Sequence, residues 1–224
     1  SYLAPVVSPM VAHARLIRRE YEKVKVVFIG PCIAKKAEIE EEEIRGEVDA
    51  VLTFKELKSW FQEEHISLST LEEAEMDASL VEWGRAFPVE GGLLKTASLD
   101  AGMLSREVMV ITGIDRCRQF LDDLKNARTN FGMVEMMSCE GGCIDGPVLQ
   151  SLLSPYERRR KVIDYAEKAK TLSNLLPSRK IISLPDLGRD FIPRPVPQPQ
   201  VPEEEIKRIL SLTGKFSPQD ELNC

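Results

Sequence analysis

The sequence has little histidine, no long apolar run and no excess of positive charge. Its two histidines, His13 and His65, have no partner at metal-binding spacing, so a histidine-built metal site is disfavoured and both read as structural or surface residues. No stretch approaches the roughly 18–20 uncharged apolar residues that a membrane span needs, and no signal-peptide pattern opens the chain. The net charge of −6 leaves no broad electrostatic footprint for phosphate backbones, which argues against nucleic acid as the main partner. No repeat of the solenoid or propeller kind is found. Five cysteines are an odd number in a chain of 224 residues, far larger than the small secreted scaffolds that depend on disulfides. Thiolate ligands or buried thiols are therefore expected in a cytoplasmic protein. With 43% hydrophobic and 29% charged residues the chain can bury a core. Opening on Ser1 and stopping on Cys224, it reads as an excerpt from a longer chain, with partner residues expected outside it.

Residues 10–22 carry apolar side chains at helical spacing behind Ser8-Pro9, which predicts a helix with Ser8 as cap and Pro9 at its first position. The period then changes: Lys25-Val26-Val27-Phe28-Ile29, closed by Gly30-Pro31, reads as a strand buried on both faces of a parallel sheet. The same unit recurs as a strand over 48–52, a capping box of Thr53 with Glu56, and a helix whose buried stripe is Leu57, Trp60 and Phe61. Residues 66–90 give no clear pattern before Gly91-Gly92 and a helix over 93–97. Residues 108–112 and 133–137 predict two further strands, joined by a helix capped by Asp115 with Cys117, Phe120, Leu121 and Leu124 on one face. Ser154-Pro155-Tyr156-Glu157 opens a helix to about Leu176, and 180–184 adds a last strand. Alternating strands and helices predict an α/β fold with mainly parallel sheets. The expected organisation is a core over 1–184, a proline-rich linker over 185–202, and a short helix over 203–212, stopped by Gly214, with a polar tail to Cys224.

Two cysteine segments sit just past predicted strands, where open α/β sheets place ligands. In the first, Cys139-Glu140-Gly141-Gly142-Cys143, two thiols four apart enclose glycines that let the backbone wrap closely round an inorganic group. Thiolates hold iron–sulfur clusters, with zinc as the competing metal; the alternative is a pair of small buried hydrophobes in a glycine turn. In the second, Pro31-Cys32-Ile33-Ala34-Lys35, Cys32 faces the same crevice and Lys35 can reach an anionic ligand as a point charge. Its alternative is a buried thiol beside two solvated lysines, heading the acidic run Glu38–Glu43 on a solvated helix face. Met133, Met136 and Met137 either line such a pocket or fill core gaps. Cys117 lies on an apolar helix stripe and reads as packing. The run Arg158-Arg159-Arg160-Lys161 reads as an exposed helix face, or a docking surface for an acidic partner.

Together the segments resemble a known family. Pro31-Cys32-x-x-Lys35-x-x-Glu38 is similar to the second cluster motif of iron-only (di-iron) hydrogenases, and Glu135-x-Met137-x-Cys139-x-x-x-Cys143 to the third. The resemblance runs from about Leu3 to Gly146 with the intervening elements in order. It implies two intertwined α/β/α lobes with a cluster crevice between them. It implies Cys32, Cys139 and Cys143 as ligands of a 4Fe-4S cubane, with Cys143 also bridging to a di-iron unit (together the H-cluster). It implies that Met137 lies in the cofactor pocket, that Lys35 hydrogen-bonds a cyanide of the di-iron unit, and that Glu38 supports it.

The departures from the pattern matter equally. The first motif of the family, Thr-Ser-Cys-Cys-Pro, would precede Ser1. Gly30 stands where a methionine is usual, the glycine run after Cys143 is shortened to Ile144-Asp145-Gly146-Pro147, and Ala4 takes a proton-relay serine position. These changes weaken packing and proton delivery round a di-iron unit. The tail Asp220-Glu221-Leu222-Asn223-Cys224 resembles the opening of a further iron–sulfur motif in sensory hydrogenase-like proteins, with Cys224 as first ligand; otherwise it is a free terminal thiol. The leading expectation is a cluster-binding core for redox or hydrogen sensing and electron transfer, with ferredoxin-like iron–sulfur donor domains and a downstream signalling domain as partners. The alternatives are a catalytic iron-only hydrogenase and a cluster-free or zinc-bound interaction module.

Overall fold

The protein is described by a computed structural model that covers residues 2–72, 74, 83–99, 105–149, 151–173, 184–193, 201–214 and 216. The chain divides into two compact units, Val6–Arg189 and a smaller one made of Ser1–Pro5 with Asp190–Cys224.

Among the described residues the larger unit holds two separate parallel strand pairs. Strand β1 (Val27–Gly30) pairs with β2 (Ala50–Thr53), with Val27 opposite Ala50 and Gly30 opposite Thr53. Strand β3 (Val108–Thr112) pairs with β4 (Met133–Met137), with Val108 opposite Met133 and Thr112 opposite Met137. Parallel partners need a crossover, and each pair has one. Between β1 and β2 the chain forms a short helix α2 (Ala34–Glu38) and a 3-10 turn, Glu42–Ile44. Between β3 and β4 it forms α5 (Ile114–Lys125). The mixed helix and parallel-strand architecture is the α/β class read from the sequence.

Helix α1 (Pro9–Glu20) supplies the core under the first pair. Met10, Val11 and Ala14 lie on one stripe and pack with Val7, Val26, Ile44, Val48 and Val51, all buried. Asp49 fastens the start of β1: the Val26 N–H donates to its Oδ2 at 2.8 Å, and Arg18 and Lys25 pair with its two oxygens at 2.6 and 2.9 Å. Helix α5 packs on the second pair, while helix α6 (Pro155–Ser173) buries Ala166 and Ala169, small residues that let it close on the 3-10 turn Trp83–Ala86. The Arg85 guanidinium lies 4.2 Å from the centroid of the Tyr165 ring there.

Both expected capping boxes form. Thr53 and Glu56 exchange backbone bonds of 2.8 and 3.3 Å at the start of α3 (Phe54–Glu63), and Ser154 and Glu157 do the same at the start of α6. Other expectations need correction. Helix α1 stops at Glu20, and although Ser8 occupies the cap position with Pro9 after it, the Ser8 hydroxyl makes no capping bond. Gly113 at φ +92°, not Asp115, is the cap of α5; Asp115 sits in the first turn. Strand β1 is not covered on both faces, since Val27 and Ile29 are 48% and 43% exposed, and on α3 Trp60 is 52% exposed while Leu57 and Phe61 are half-buried. The reason is common to both: a two-stranded sheet offers α3 and β1 too few neighbours to bury a full stripe. Residues 66–90 contribute 3-10 turns at Leu68–Thr70 and Trp83–Ala86, followed by helix α4 (Gly92–Thr96). The expected strand over 180–184 falls outside the described residues except for Leu184, and so do 174–176 at the end of α6.

The proline-rich stretch begins inside the larger unit. Leu187 packs on the α1 core, its carbonyl accepts from the Val7 N–H at 2.9 Å, and Gly188 bridges to Val6 in antiparallel fashion. In the smaller unit helix α7 (Glu203–Leu212) carries Glu203, Glu204 and Glu205 in its first turn, where negative charge favours the helix dipole, and Gly214 at φ +77° follows its end.

Candidate metal centre

Each cysteine segment leaves the carboxyl end of a strand. Gly30 ends β1, and the Phe28 ring folds so closely over it that a Cβ on Gly30 would lie 2.7 Å from the ring. Pro31, Cys32 and Ile33 then lead into α2, whose Lys35 N–H bonds the Cys32 carbonyl at 3.4 Å. Beyond β4 the chain turns tightly through Cys139–Gly146, with the N–H groups of Gly142, Asp145 and Gly146 bonding the carbonyls of Cys139, Gly142 and Cys143 at 3.1–3.2 Å. Gly141 and Gly142 have φ of +71° and +98°, conformations that side chains resist.

The second segment is moulded on its neighbours. A Cβ at Gly142 would lie 2.5 Å from the Pro88 carbonyl oxygen and 2.9 Å from the Glu90 nitrogen, and the Ile144 N–H donates to that same Pro88 oxygen at 3.2 Å. At Gly146 an added Cβ would stand 3.0 Å from the Pro31 carbonyl oxygen, so backbone meets backbone where the two cysteine segments touch.

Cys32, Cys139 and Cys143 come within electrostatic reach of one another, and none forms a disulfide. Burial raises the Cys139 thiol above its ordinary pKa, and Cys32 and Asp145 push the same way. The Cys143 thiol is also raised, by burial first and then by Cys32 and Cys139, while Lys35 opposes the rise. Crowded thiols of this kind ionise together only when a positive centre joins them. Among the described residues no three His, Cys, Asp or Glu side chains converge as a single-ion site. The donor set, three half-buried thiols on two glycine-bounded turns, fits an iron–sulfur cluster, whose usual ligands are cysteine thiolates.

Lys35 and Glu38 are 23% and 14% exposed at their side chains and form an ion pair with each other. Glu38 and Glu41 both meet Arg189, so the expected solvated acidic face is partly engaged. Met137 is half-buried, whereas Met133 and Met136 are 41% and 36% exposed and form no buried cluster. Cys117 is buried, with its thiol donating toward the Met137 carbonyl at 3.5 Å. His13 and His65 are exposed. Within the basic run Arg159, Arg160 and Lys161 are exposed, as expected of an outer helix face, with Arg159 3.7 Å from Glu90 and Arg160 3.8 Å from Asp164; Arg158 departs from it by folding onto Asp145 and the Leu153 carbonyl. Cys224 is outside the described residues.

Sequence reasoning quoted Glu135 only as the first residue of the third motif and gave no role to it, to Thr112 or to Arg189. Glu135, 6% exposed, accepts from the Gly91 and Leu94 N–H groups at 3.1 Å through its two oxygens, and so holds the start of α4 beside the Pro88–Glu90 mould. A carboxylate in an apolar strand was the available signal. The buried Thr112 hydroxyl lies 3.4 Å from both Glu90 Oε2 and the Gly141 nitrogen. Arg189 has no local signal, because its partners are remote in the chain.

The described residues contain no helix long and apolar enough to cross a membrane. The family profile "Iron only hydrogenase large subunit, C-terminal domain" matches residues 1–147. Among curated proteins, the chain is 26% identical over 185 residues to the periplasmic Fe hydrogenase large subunit of Nitratidesulfovibrio vulgaris, covering 65% of this chain and 44% of that protein. It is 29% identical over 196 residues to the NADP-reducing hydrogenase subunit HndD of Solidesulfovibrio fructosivorans, covering 70% and 33%. The chain thus spans less than half the length of these relatives. A solved apo FeFe-hydrogenase of Chlamydomonas reinhardtii superimposes with a TM-score of 0.55 at 17% identity, covering 72% of this chain and 60% of that one. The chain belongs to the family formed by the C-terminal domain of iron-only hydrogenase large subunits.

Proposed function

We propose that the chain is the iron–sulfur cluster-binding core of a hydrogenase-like protein that serves redox or hydrogen sensing and electron transfer. The observation that carries this reading is the meeting of two cysteine turns, one after β1 and one after β4, through the backbones of Pro31 and Gly146. In this reading Cys32, Cys139 and Cys143 hold a 4Fe-4S cubane, with a fourth ligand from outside the chain, and Cys143 borders the di-iron unit. When bound, such a cluster supplies reversible one-electron transfer. The residues of the chain supply the rest: the thiolates fix it, Gly141 and Gly142 let the backbone close round it, Met137 lies beside it, and Lys35 offers a cation to an anionic ligand while Glu38 holds Lys35. Ferredoxin-like iron–sulfur domains are the proposed electron donors. A signalling domain beyond Cys224, itself the first ligand of a separate cluster, is the proposed output, in a cytoplasmic parent protein.

Sensing is favoured over rapid turnover by the surroundings of Gly30. The Phe28 ring fills the space that a longer residue at 30 would occupy, so the packing expected round a fast di-iron site is replaced. The second reading, a catalytic hydrogenase, rests on the names of the relatives. Iron and acid-labile sulfide per chain, with a paramagnetic spectrum, separate the two. The sample is the full-length parent purified without oxygen after co-expression with hydrogenase maturation proteins. About four irons in this core support the cubane-only reading, about six support a complete hydrogen-reacting site, and no iron overturns both.

A further inference from the structure

The Arg189 side chain is only 6% exposed. A guanidinium in such surroundings persists only where carboxylates meet it. Glu41 and Glu38 do so: its Nη2 pairs with Glu41, and its Nη1 lies 3.8 Å from Glu38 Oε1. Arg189 is brought there by a strap laid along α1. The Leu187 carbonyl accepts from Val7, the Asp186 carbonyl accepts from Arg15 Nη1 at 2.7 Å, and Gly188 bridges to Val6.

The Glu38 carboxylate is therefore divided between two cations. Its Oε2 takes Lys35, while its Oε1 is buried without a hydrogen bond and faces Arg189. Lys35 in turn stands three residues past Cys32, at the mouth of the cysteine pocket, with its N–H bonded to the Cys32 carbonyl at 3.4 Å. From the thiols outward the order is Lys35, Glu38, Arg189, Glu41, with charge alternating at every step. A carboxylate shared in this way holds each cation more weakly than it would hold one alone, because each neutralises part of the charge that attracts the other.

We infer that Arg189 is a positioning residue for Lys35. By drawing Glu38 toward the strap, it leaves the ammonium group of Lys35 able to lean into the cysteine pocket. Without Arg189, Glu38 has Lys35 as its remaining close cation among the described residues and pulls it out of the pocket. The inference rests on the cluster reading above for its consequence, a link between the charge in the pocket and the strap that ends the larger unit, but the link itself is a property of the side chains.

Two measurements on the full chain test it. The first is a double-mutant cycle of Lys35→Met and Arg189→Gln, read by denaturant unfolding of cluster-free protein. The two residues share a partner without touching, so their effects should be non-additive by about threefold or more in the unfolding equilibrium constant, a typical coupling within one ion-pair network. The non-additivity should vanish in a Glu38→Gln background. Additive effects, or coupling that survives Glu38→Gln, overturn the inference. If Arg189→Gln does not fold, Arg189→Lys takes its place and should show smaller coupling of the same sign. The second measurement is the reduction potential of the cluster, which a purely structural arginine would leave unmoved. Arg189→Gln should lower it at unchanged iron content, because a cation has withdrawn from the pocket, and Arg189→Lys should restore part of the loss. In a Lys35→Met background the Arg189→Gln shift should disappear; a shift that persists undiminished means that Arg189 acts by its own field and overturns the inference. Absence of iron from the wild type would remove the cluster reading and leave the first measurement to decide the link.

Discussion

Replacing Gly142 by alanine should damage the cysteine turn far more than replacing its neighbour Gly141, and the structure says by how much. At Gly141, with φ +71°, the new methyl meets only the Asp145 carboxylate, 2.7 Å from the oxygen that does not carry the Arg158 pair, the end of a side chain and not backbone. The cost is that of a single left-handed residue, about 1–2 kcal/mol. At Gly142 the backbone stands at φ +98°, ψ −169°, a region occupied almost solely by glycine and costing about 1–3 kcal/mol for other residues. The methyl also meets backbone atoms that no rotamer change can move, the Pro88 oxygen at 2.5 Å, the Glu90 nitrogen at 2.9 Å and the Val89 carbonyl carbon at 3.2 Å. Displacing them adds strain, for a total of about 3–5 kcal/mol, in the range of overpacked interior sites. The difference between the variants, about 2 kcal/mol, is close to thirtyfold in the unfolding equilibrium. Urea titration followed by circular dichroism reads it as a shift in midpoint at constant slope. If the two variants unfold within about 0.5 kcal/mol of each other, the turn is not moulded against Pro88–Glu90 and the account of the site is wrong.

Glu135→Gln keeps the shape of the side chain but gives one of the Gly91 and Leu94 N–H groups a donor to face; we expect a loss of about 1.5–3 kcal/mol and faster amide exchange at both residues, and unchanged exchange would show that the carboxylate does not hold α4. The Asp49 carboxyl lies below its ordinary 3.8, held down first by the Val26 N–H and then by Lys25. Its folded-state pKa being depressed, it contributes stability that is complete above the ordinary value and lost as pH falls through the folded one. Asp49→Asn should therefore be less stable than the wild type at pH 7 by an amount that shrinks below about pH 4; a gap that widens on acidification contradicts this. Cys139→Ser in the parent protein should abolish the paramagnetic signal of the cubane, and an unchanged iron content and spectrum would remove Cys139 from the ligand set.

What could be read from the sequence was local. The four strands are short apolar runs closed by turn residues, the capping boxes at Thr53 and Ser154 lie within four residues, and the cysteine turns announce themselves by thiols and glycines side by side. What could not be read depends on remote neighbours. Trp60 and Ile29 carry the pattern of buried residues, yet a two-stranded sheet cannot cover them. Arg189 looks like one charge in a proline-rich stretch until the fold sets it against Glu38 and Glu41. Asp115 has the chemistry of a cap, but Gly113 bends the chain two residues earlier, where its N–H bonds the Met137 carbonyl at 3.0 Å.

The contact of Gly146 with Pro31 also orders events in time. Each parallel pair closes through a short crossover and can form from contacts near in the chain, but the cysteine turns meet only when segments far apart in sequence have docked. Closing that long loop is an entropic cost that neither half recovers alone, so the junction should be among the last contacts made in folding and the first lost in partial opening. A thiol pocket completed so late exists only in chains whose two halves are already correct. Insertion of a cluster then acts as a test of the finished fold, and its binding energy falls on the junction between the halves, the step least supported by local structure.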